Sequence, residues 1–366
     1  WPVPLLSTNP KVPALLDQQT ATVTLDTDEY VRINQGALGH YITQYTNPAH
    51  LAAIAKQAED KTLGVAERLM LLSDSALLAR AGVLPFADTL ELLQHYTNES
   101  NESVWDVMSL ILADARRFID AEPALEDAIK AQVRTLIQAE YEKLGWQEHE
   151  GESSQDTKLR ATILGLGVFA EHPAITKEAL RLFDAYQKDT GVVSGELRGI
   201  VFAAAVRNKV PGAFDYLQQL EASSANPELK LDAMGALAGT RQPEQAKLLL
   251  ARLKDAKKVR PQDVDHWLVL IMRNRYTQQE GWDWLRTNWG WIEEIFKNDK
   301  SYDYFPRYAA SALNTSVRLQ EYKDFFEPLK DQIALNRNIV MGIEELESRV
   351  AWIERDLEGV TAYYKV

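Results

Sequence analysis

The rhythm of apolar and polar residues changes near Asn47. Before it the period is two. Val23 and Leu25 alternate with Thr22 and Thr24, and Tyr30, Arg32 and Asn34 oppose Val31 and Ile33. Residues 40–45 read as strand again after Gly36 and Gly39. At the start, two prolines flank an apolar run, as in an edge strand or a strand entry. The pattern predicts three or four short strands within residues 1–45. So few strands are marginal unless they pack on something.

From Pro48 the period is helical. Residues 65–82 set Leu69, Leu72, Ala76 and Ala79 on one stripe, with Gly82 as the C-terminal cap. Further helices are predicted over residues 84–99, 102–120 and 124–145. A polar break follows at 147–155, and then a train of short helices runs from 156 to 255, with Pro, Gly or Asn at the boundaries. Roughly 30–40 residues per helix pair is the spacing of HEAT-type repeats. Longer helices are expected from Gln262, ending in residues 339–364. The fold class is therefore mainly α, an α–α superhelix of HEAT-like antiparallel helix pairs preceded by a short β-sandwich remnant. The domain boundary falls between residues 1–45 and 46–366.

Charge and composition narrow the partners. A net charge of −13 repels phosphate and anionic lipid, so neither nucleic acid nor membrane is expected as a partner. A basic patch at residues 254–260 reads as a solvated helix end and turn. The absence of cysteine excludes disulfides, thiolate nucleophiles and Cys-based zinc sites. It fits a reducing compartment, and a cytoplasmic location is expected. Residues 1–10 lack the basic and apolar segments of a signal peptide. With no initiator Met, the chain is expected to be a processed or cloned piece. Asn98, Asn101 and Asn314 head Asn-x-Ser sequons, which matter only in a secretory setting.

Catalytic patterns are scarce. A zinc-protease helix needs two His four apart beside a Glu, yet no two of His40, His50, His95, His149, His172 and His266 have that spacing. Residues 165–170 satisfy G-x-G-x-x-A, but a helical pattern precedes them where a strand is needed, so small residues for close helix packing are expected. In residues 281–296, Trp282, Leu285, Trp289, Ile292 and Phe296 form one stripe; Trp284, Asn288, Trp291 and Ile295 form a second. A two-sided interhelix core is expected there. Arg116, Arg198 and Arg273 sit on otherwise apolar helices. One of them could face a cavity and bind a carboxylate, though a snorkelling or salt-bridged surface role is the commoner one.

These motifs, taken in order, resemble a known family. Tyr30, Val31, Ile33, Asn34, Gly36, Gly39, Tyr41 and Tyr45 match the end of the β-sandwich domain of gluzincin zinc aminopeptidases (aminopeptidase N, puromycin-sensitive and endoplasmic-reticulum aminopeptidases). Ile42 stands where that family has Arg. The opening residues 1–5 resemble an earlier strand of the same domain. Arg68, Leu71, Asp74, Leu78, Ala79, Gly82, Glu99 and Trp105 fall on the next motif. Residues 194–206 follow, then Gly281, Trp284, Leu285, Asn288, Trp289 and Ile292, and finally Trp352 and Ile353.

The resemblance implies a helical C-terminal domain that closes over a catalytic domain and encloses a peptide chamber. The family's anchoring motif and zinc helix precede this region, so it implies no catalytic residue, metal ligand or cofactor in this chain, and zinc in the parent enzyme. Implied partners are the N-terminal catalytic domains of the same polypeptide and peptide substrates. Arg116 lies near a family helix that can present basic side chains to the chamber, with Arg198 and Arg273 next as peptide contacts. The alternative is a free-standing helical scaffold for protein–protein interaction.

Overall fold

A computed structural model describes residues 1–26 and 31–365. Its only sheet among these residues is small: β1 (Val3–Pro4) pairs antiparallel with β2 (Leu15–Leu16), Val3 opposite Leu16. The strands expected at 21–26 and 41–45 do not form, and Tyr30 lies outside the described residues. Within residues 31–45 the reason is where the backbone groups find partners. Arg32 N donates to Thr8 Oγ1 (2.9 Å) and Thr8 N to Arg32 O (3.0 Å). Ile33 N donates to the Tyr45 hydroxyl (3.2 Å), and Thr43 N to the Asp74 carboxylate (2.9 Å). Asn34, left-handed at φ 62°, closes the loop by exchanging two hydrogen bonds with Gly39 (2.6 and 2.8 Å). The alternation records sidedness, and side chains supply most of the partners that a ladder would.

The first compact unit comprises Trp1–Arg116, Leu125–Ile163 and Asp356–Val366. Its first helix, α1 (Pro48–Glu59), begins where Asn47 Oδ1 accepts from Ala49 N and His50 N, with Pro48 pre-set for the first helical position. In α2 (Val65–Arg80), Glu67 Oε2 accepts from Gly64 N (3.0 Å), closing the N-terminal turn. Its other oxygen takes Gly36 N (3.1 Å) and Arg32 Nη1 (2.6 Å), tying the preceding loop to the helix. Gly82 at φ 75° ends α2: Gly82 N reaches Ala79 O and Val83 N reaches Leu78 O. The buried face of α2 is Arg68, Leu71, Leu72, Asp74 and Ala79; Leu69 and Ala76 of the expected stripe are half-buried.

Then follow α3 (Phe86–Leu93), α4 (Glu102–Arg117), α5 (Leu125–Leu144) and α6 (Ser154–Phe169), which passes into the second unit at Leu164, with the polar break between α5 and α6. Gly165 lies inside α6, and a Cβ there would meet no atom within 4 Å. A helix interior is not a nucleotide-binding turn, and within the same run Gly167 and Ala170 are buried. Leu72, Leu90, Leu93, Trp105, Met108, Ile129 and Val133 are fully buried in this unit.

The second unit comprises Arg117–Ala124 and Leu164–Arg355. It contains α7 (Pro173–Tyr186), α8 (Gly195–Arg207), α9 (Ala213–Ser223), α10 (Pro227–Ala238), α11 (Pro243–Arg252) and α12 (Val264–Arg273). It continues through α13 (Gln278–Thr287), α14 (Trp289–Phe296), α15 (Phe305–Ala312), α16 (Ser316–Phe326) and most of α17 (Ile333–Tyr364). Successive helices pack: α8 on α7 and α10, and α12 on α10, α13 and α15. The chain is thus mainly α and built of helical repeats, as its periodicity predicts.

Two expectations for the last third need correction. Only α17, at 32 residues, is long; α12 to α16 have 8 to 11 each. The Trp-rich run is interrupted at Asn288, and only its first stripe is core. Trp282, Leu285, Trp289, Ile292 and Phe296 are buried, whereas Trp284 and Trp291 are half-buried and Ile295 is 46% exposed.

Candidate functional site

Past Arg273 the chain turns from α12 into α13 through Asn274, Arg275, Tyr276 and Thr277. The polar side chains of this turn collect carbonyls that helix ends leave without an intrahelical donor. Asn274 Nδ2 donates to Ala238 O (2.9 Å) at the end of α10 and to Thr240 O (2.6 Å). Thr277 Oγ1 donates to Ile271 O (3.0 Å), and Gln278 Nε2 to Ala312 O (2.6 Å) at the end of α15. Gly281 lets α13 lie close to α12, since a Cβ there would fall 2.7 Å from Met272 Cγ. The turn is therefore a fixed platform.

Two guanidinium groups lie over the Tyr276 ring, Arg241 at 5.1 Å and Arg275 at 5.2 Å from its centroid. Arg241 pairs with Glu171 (2.6 Å), and Arg275 Nε is 3.8 Å from Asp120. Asp120 also accepts from Asn314 Nδ2 (2.7 Å), and Asn314 Oδ1 accepts from Arg117 Nη1 (3.1 Å). The sequon nitrogen of Asn314 is thus buried and bonded, out of reach of modification in the folded chain.

Arg273 is different. Its Nε and Nη2 donate to Ser311 Oγ (3.3 and 3.1 Å), which in turn donates to Tyr308 O (2.8 Å). Among the described residues it forms no ion pair, and its side chain is exposed. Tyr308 stacks on Tyr304 (6.0 Å, 25° between planes), and Tyr304 is exposed. Burial raises the Tyr308 phenol; Asp265 and Tyr304 add to this and Arg273 opposes it. Burial also raises the Asp265 carboxyl, against the His266 N–H bond that holds its anion. An open guanidinium beside stacked phenols can take a carboxylate, with an apolar group against the ring.

The other two arginines behave otherwise. Arg198 on α8 places Nε and Nη2 against Asp232 Oδ2 of α10 (2.7 and 2.6 Å), and its side chain is only 14% exposed. Burial raises the Asp232 carboxyl despite this pairing. Arg116 is exposed on α4, in the first unit. The structure does not gather the three into one site. Arg241, Arg275, Tyr276, Tyr304 and Tyr308 were not foreseen; the traces they leave in sequence are the polar run 273–277 after an apolar helix and two Tyr four apart.

The motif residues of the first unit form a structural centre. Arg68 (5% exposed) grips Glu99 (2% exposed), Nε to Oε2 at 2.6 Å and Nη2 to Oε1 at 3.0 Å. Arg68 Nη1 donates to Leu63 O, while Glu99 Oε1 also accepts from Ser100 N and Asn101 N (2.9 Å each). Trp105 Nε1 donates to Glu99 O (2.8 Å), and the Tyr96 hydroxyl to Arg68 O (3.0 Å). Burial pushes the Glu99 carboxyl up, but Arg68 and the two N–H donors bring it below its ordinary range.

Among the described residues, no group of three or more His, Cys, Asp or Glu could hold a metal ion. No helix among them is long and apolar enough to cross a membrane.

Residues 30–348 match the family described as the ERAP1-like C-terminal domain. The chain is 29% identical over 98% of its length to aminopeptidase N of Lactococcus lactis subsp. cremoris (strain MG1363), covering 43% of that protein. It is 24% identical to aminopeptidase 2, mitochondrial, of Saccharomyces cerevisiae, over 96% of the chain and 37% of the relative. For glutamyl aminopeptidase of Bitis rhinoceros the figures are 23%, 93% and 36%. The chain thus spans less than half the length of these relatives.

Proposed function

Because the chain belongs to the ERAP1-like C-terminal domain family, we propose that it serves as the non-catalytic helical region of an aminopeptidase. The observation that carries this is the family match across residues 30–348, continuous over both units. In this reading residues 1–45 close a β-sandwich domain and 46–366 form the helical domain. Leu15, Leu38 and Ile42 are exposed apolar residues of the first segment, which suits a neighbouring part of the same polypeptide. Zinc would belong to that catalytic part, and no residue of this chain is assigned to it. The lack of cysteine suits a cytoplasmic enzyme.

The helical region encloses the substrate space and tunes which peptides enter. Arg273, beside Tyr304 and Tyr308, is the residue whose surroundings best support a contact with a peptide carboxylate. Arg116 is the candidate of the first unit, and Arg198 contributes through α8–α10 packing. In the full-length enzyme, Arg273→Ala should raise KM for a long peptide and leave KM for a single aminoacyl reporter unchanged. Equal changes on both would end this assignment. The chain alone should not turn over an aminoacyl chromogenic substrate, with or without added zinc; sustained, chelator-sensitive turnover would refute the non-catalytic role.

A further inference from the structure

We propose that the surface of α13 and α14 carrying Trp284 and Trp291, together with the basic loop after α11, docks an acidic peptide segment that bears an apolar or aromatic side chain. This surface is independent of the peptide contact assigned to Arg273. It starts from the interruption at Asn288. A continuous helix would turn both Trp stripes steadily around one axis; instead the chain breaks and restarts (φ −106°, ψ 16° at Asn288). One stripe goes into the core. The other leaves Trp284 and Trp291 half-buried, edge to face at 5.9 Å and 75°. Ile295, one turn beyond Trp291, is exposed, and a Cβ at Gly290 would meet no atom within 4 Å. Both indoles keep part of their surface accessible.

The charge is supplied by the loop. Residues 254–260 carry four cations, Lys254, Lys257, Lys258 and Arg260, against one carboxylate, in a chain of net charge −13. Lys258 and Arg260 have acidic partners at Asp255 and Asp263. Lys254 and Lys257 form no ion pair among the described residues. Lys254 Nζ is 5.9 Å from the Trp291 ring centroid and donates to Asn288 Oδ1 (3.1 Å). Asn288 Nδ2 donates to the Trp284 main-chain O (2.8 Å), so the side chain that holds the Lys254 ammonium beside Trp291 is itself tied to the preceding turn.

Fixed indoles offer a large contact area at small entropic cost, and such residues dominate binding energy at interfaces. Lys254, 5.9 Å from the Trp291 ring, is the cation that a negative partner would meet at this surface. A polyphosphate chain is disfavoured because the rest of the protein repels it over many nucleotides. A short acidic segment meets only the local field, which extends about 10 Å at 0.1 M salt.

The test uses the full-length protein and a fluorescein-labelled peptide of alternating Glu and Phe, read by anisotropy. Saturable binding should weaken with salt, and Trp291→Ala should lower the affinity about tenfold, as loss of an interface anchor does. If Trp291→Ala lowers the Tm, the exposed-loop pair Lys254→Glu with Lys257→Glu carries the test and should also weaken binding about tenfold. The proposal is overturned if the peptide does not bind, or if the loop pair binds as wild type does. It is overturned equally if a Lys–Phe peptide or an oligothymidylate binds as tightly. Self-association on sedimentation that the same loop pair abolishes would assign the surface to a second copy and overturn it too.

Discussion

Arg68 and Arg273 sit on similar helices, α2 and α12, in opposite surroundings. Arg68 is buried, and its donors are spread over Glu99 and a carbonyl. Arg273 is exposed, and its donors meet one neutral hydroxyl. Removing either partner of a buried ion pair strands the other charge, whereas truncating an exposed cation costs the fold little. The first arginine therefore holds the protein together, and the second is exposed to solvent. Resemblance between motifs picks out the first kind, since packing constrains it; the open kind leaves a weaker trace.

The sharpest way to break this contrast is at Glu99. Glu99→Ala should cost about 3–5 kcal/mol, measured by urea unfolding, because Arg68 is left buried without its carboxylate. A cost as small as that of Arg273→Ala would erase the distinction. The same carboxyl gives a pH signature. Its folded pKa is lowered, so its contribution is present above the unfolded value of about 4.3 and is lost as pH falls through the folded value. Wild-type stability should therefore fall more steeply than that of Glu99→Gln on acidification below about pH 5.

Smaller effects grade the comparison. Thr43 Oγ1 donates to Asp74 at 2.7 Å, both residues being buried. Thr43→Val should cost about 1.5–3 kcal/mol, the range for a hydrogen bond to a charged group, with faster amide exchange in residues 31–45. Arg198→Ala should cost less than Glu99→Ala and more than Arg273→Ala in urea unfolding, since its pair with Asp232 is mostly buried, at 14% and 25% side-chain exposure. Arg273→Ala should stay within about 0.5 kcal/mol of wild type in thermal unfolding.

Much of the fold was legible. Asn47 and Gly82 marked helix ends because their local chemistry suffices: a side-chain acceptor at one, a positive φ at the other. The β reading of residues 21–26 and 41–45 failed at the next level, since alternation says which side a residue faces and not what pairs with its backbone. The break at Asn288 was invisible to periodicity because the apolar spacing runs through it unchanged. At the site, what separates Arg198 from Arg273 lies far along the chain, at Asp232 34 residues on and at Ser311 38 residues on. No local pattern encodes such a partner.

One feature of the first unit bears on how the protein is made. Near the end of α17, the Tyr363 hydroxyl donates to Leu90 O and accepts from Gln132 Nε2, while the Tyr364 hydroxyl donates to Gln132 Oε1. These bonds join residues more than 230 positions apart. The unit that begins first on the ribosome is thus completed last, after all of residues 164–355 have emerged. At roughly 5–20 residues per second that wait is roughly 10–40 s. Throughout it, α3 and α5 lack the aromatic hydroxyls that dock on them, so a nascent chain stalled before residue 356 should be the form on which chaperones and proteases act.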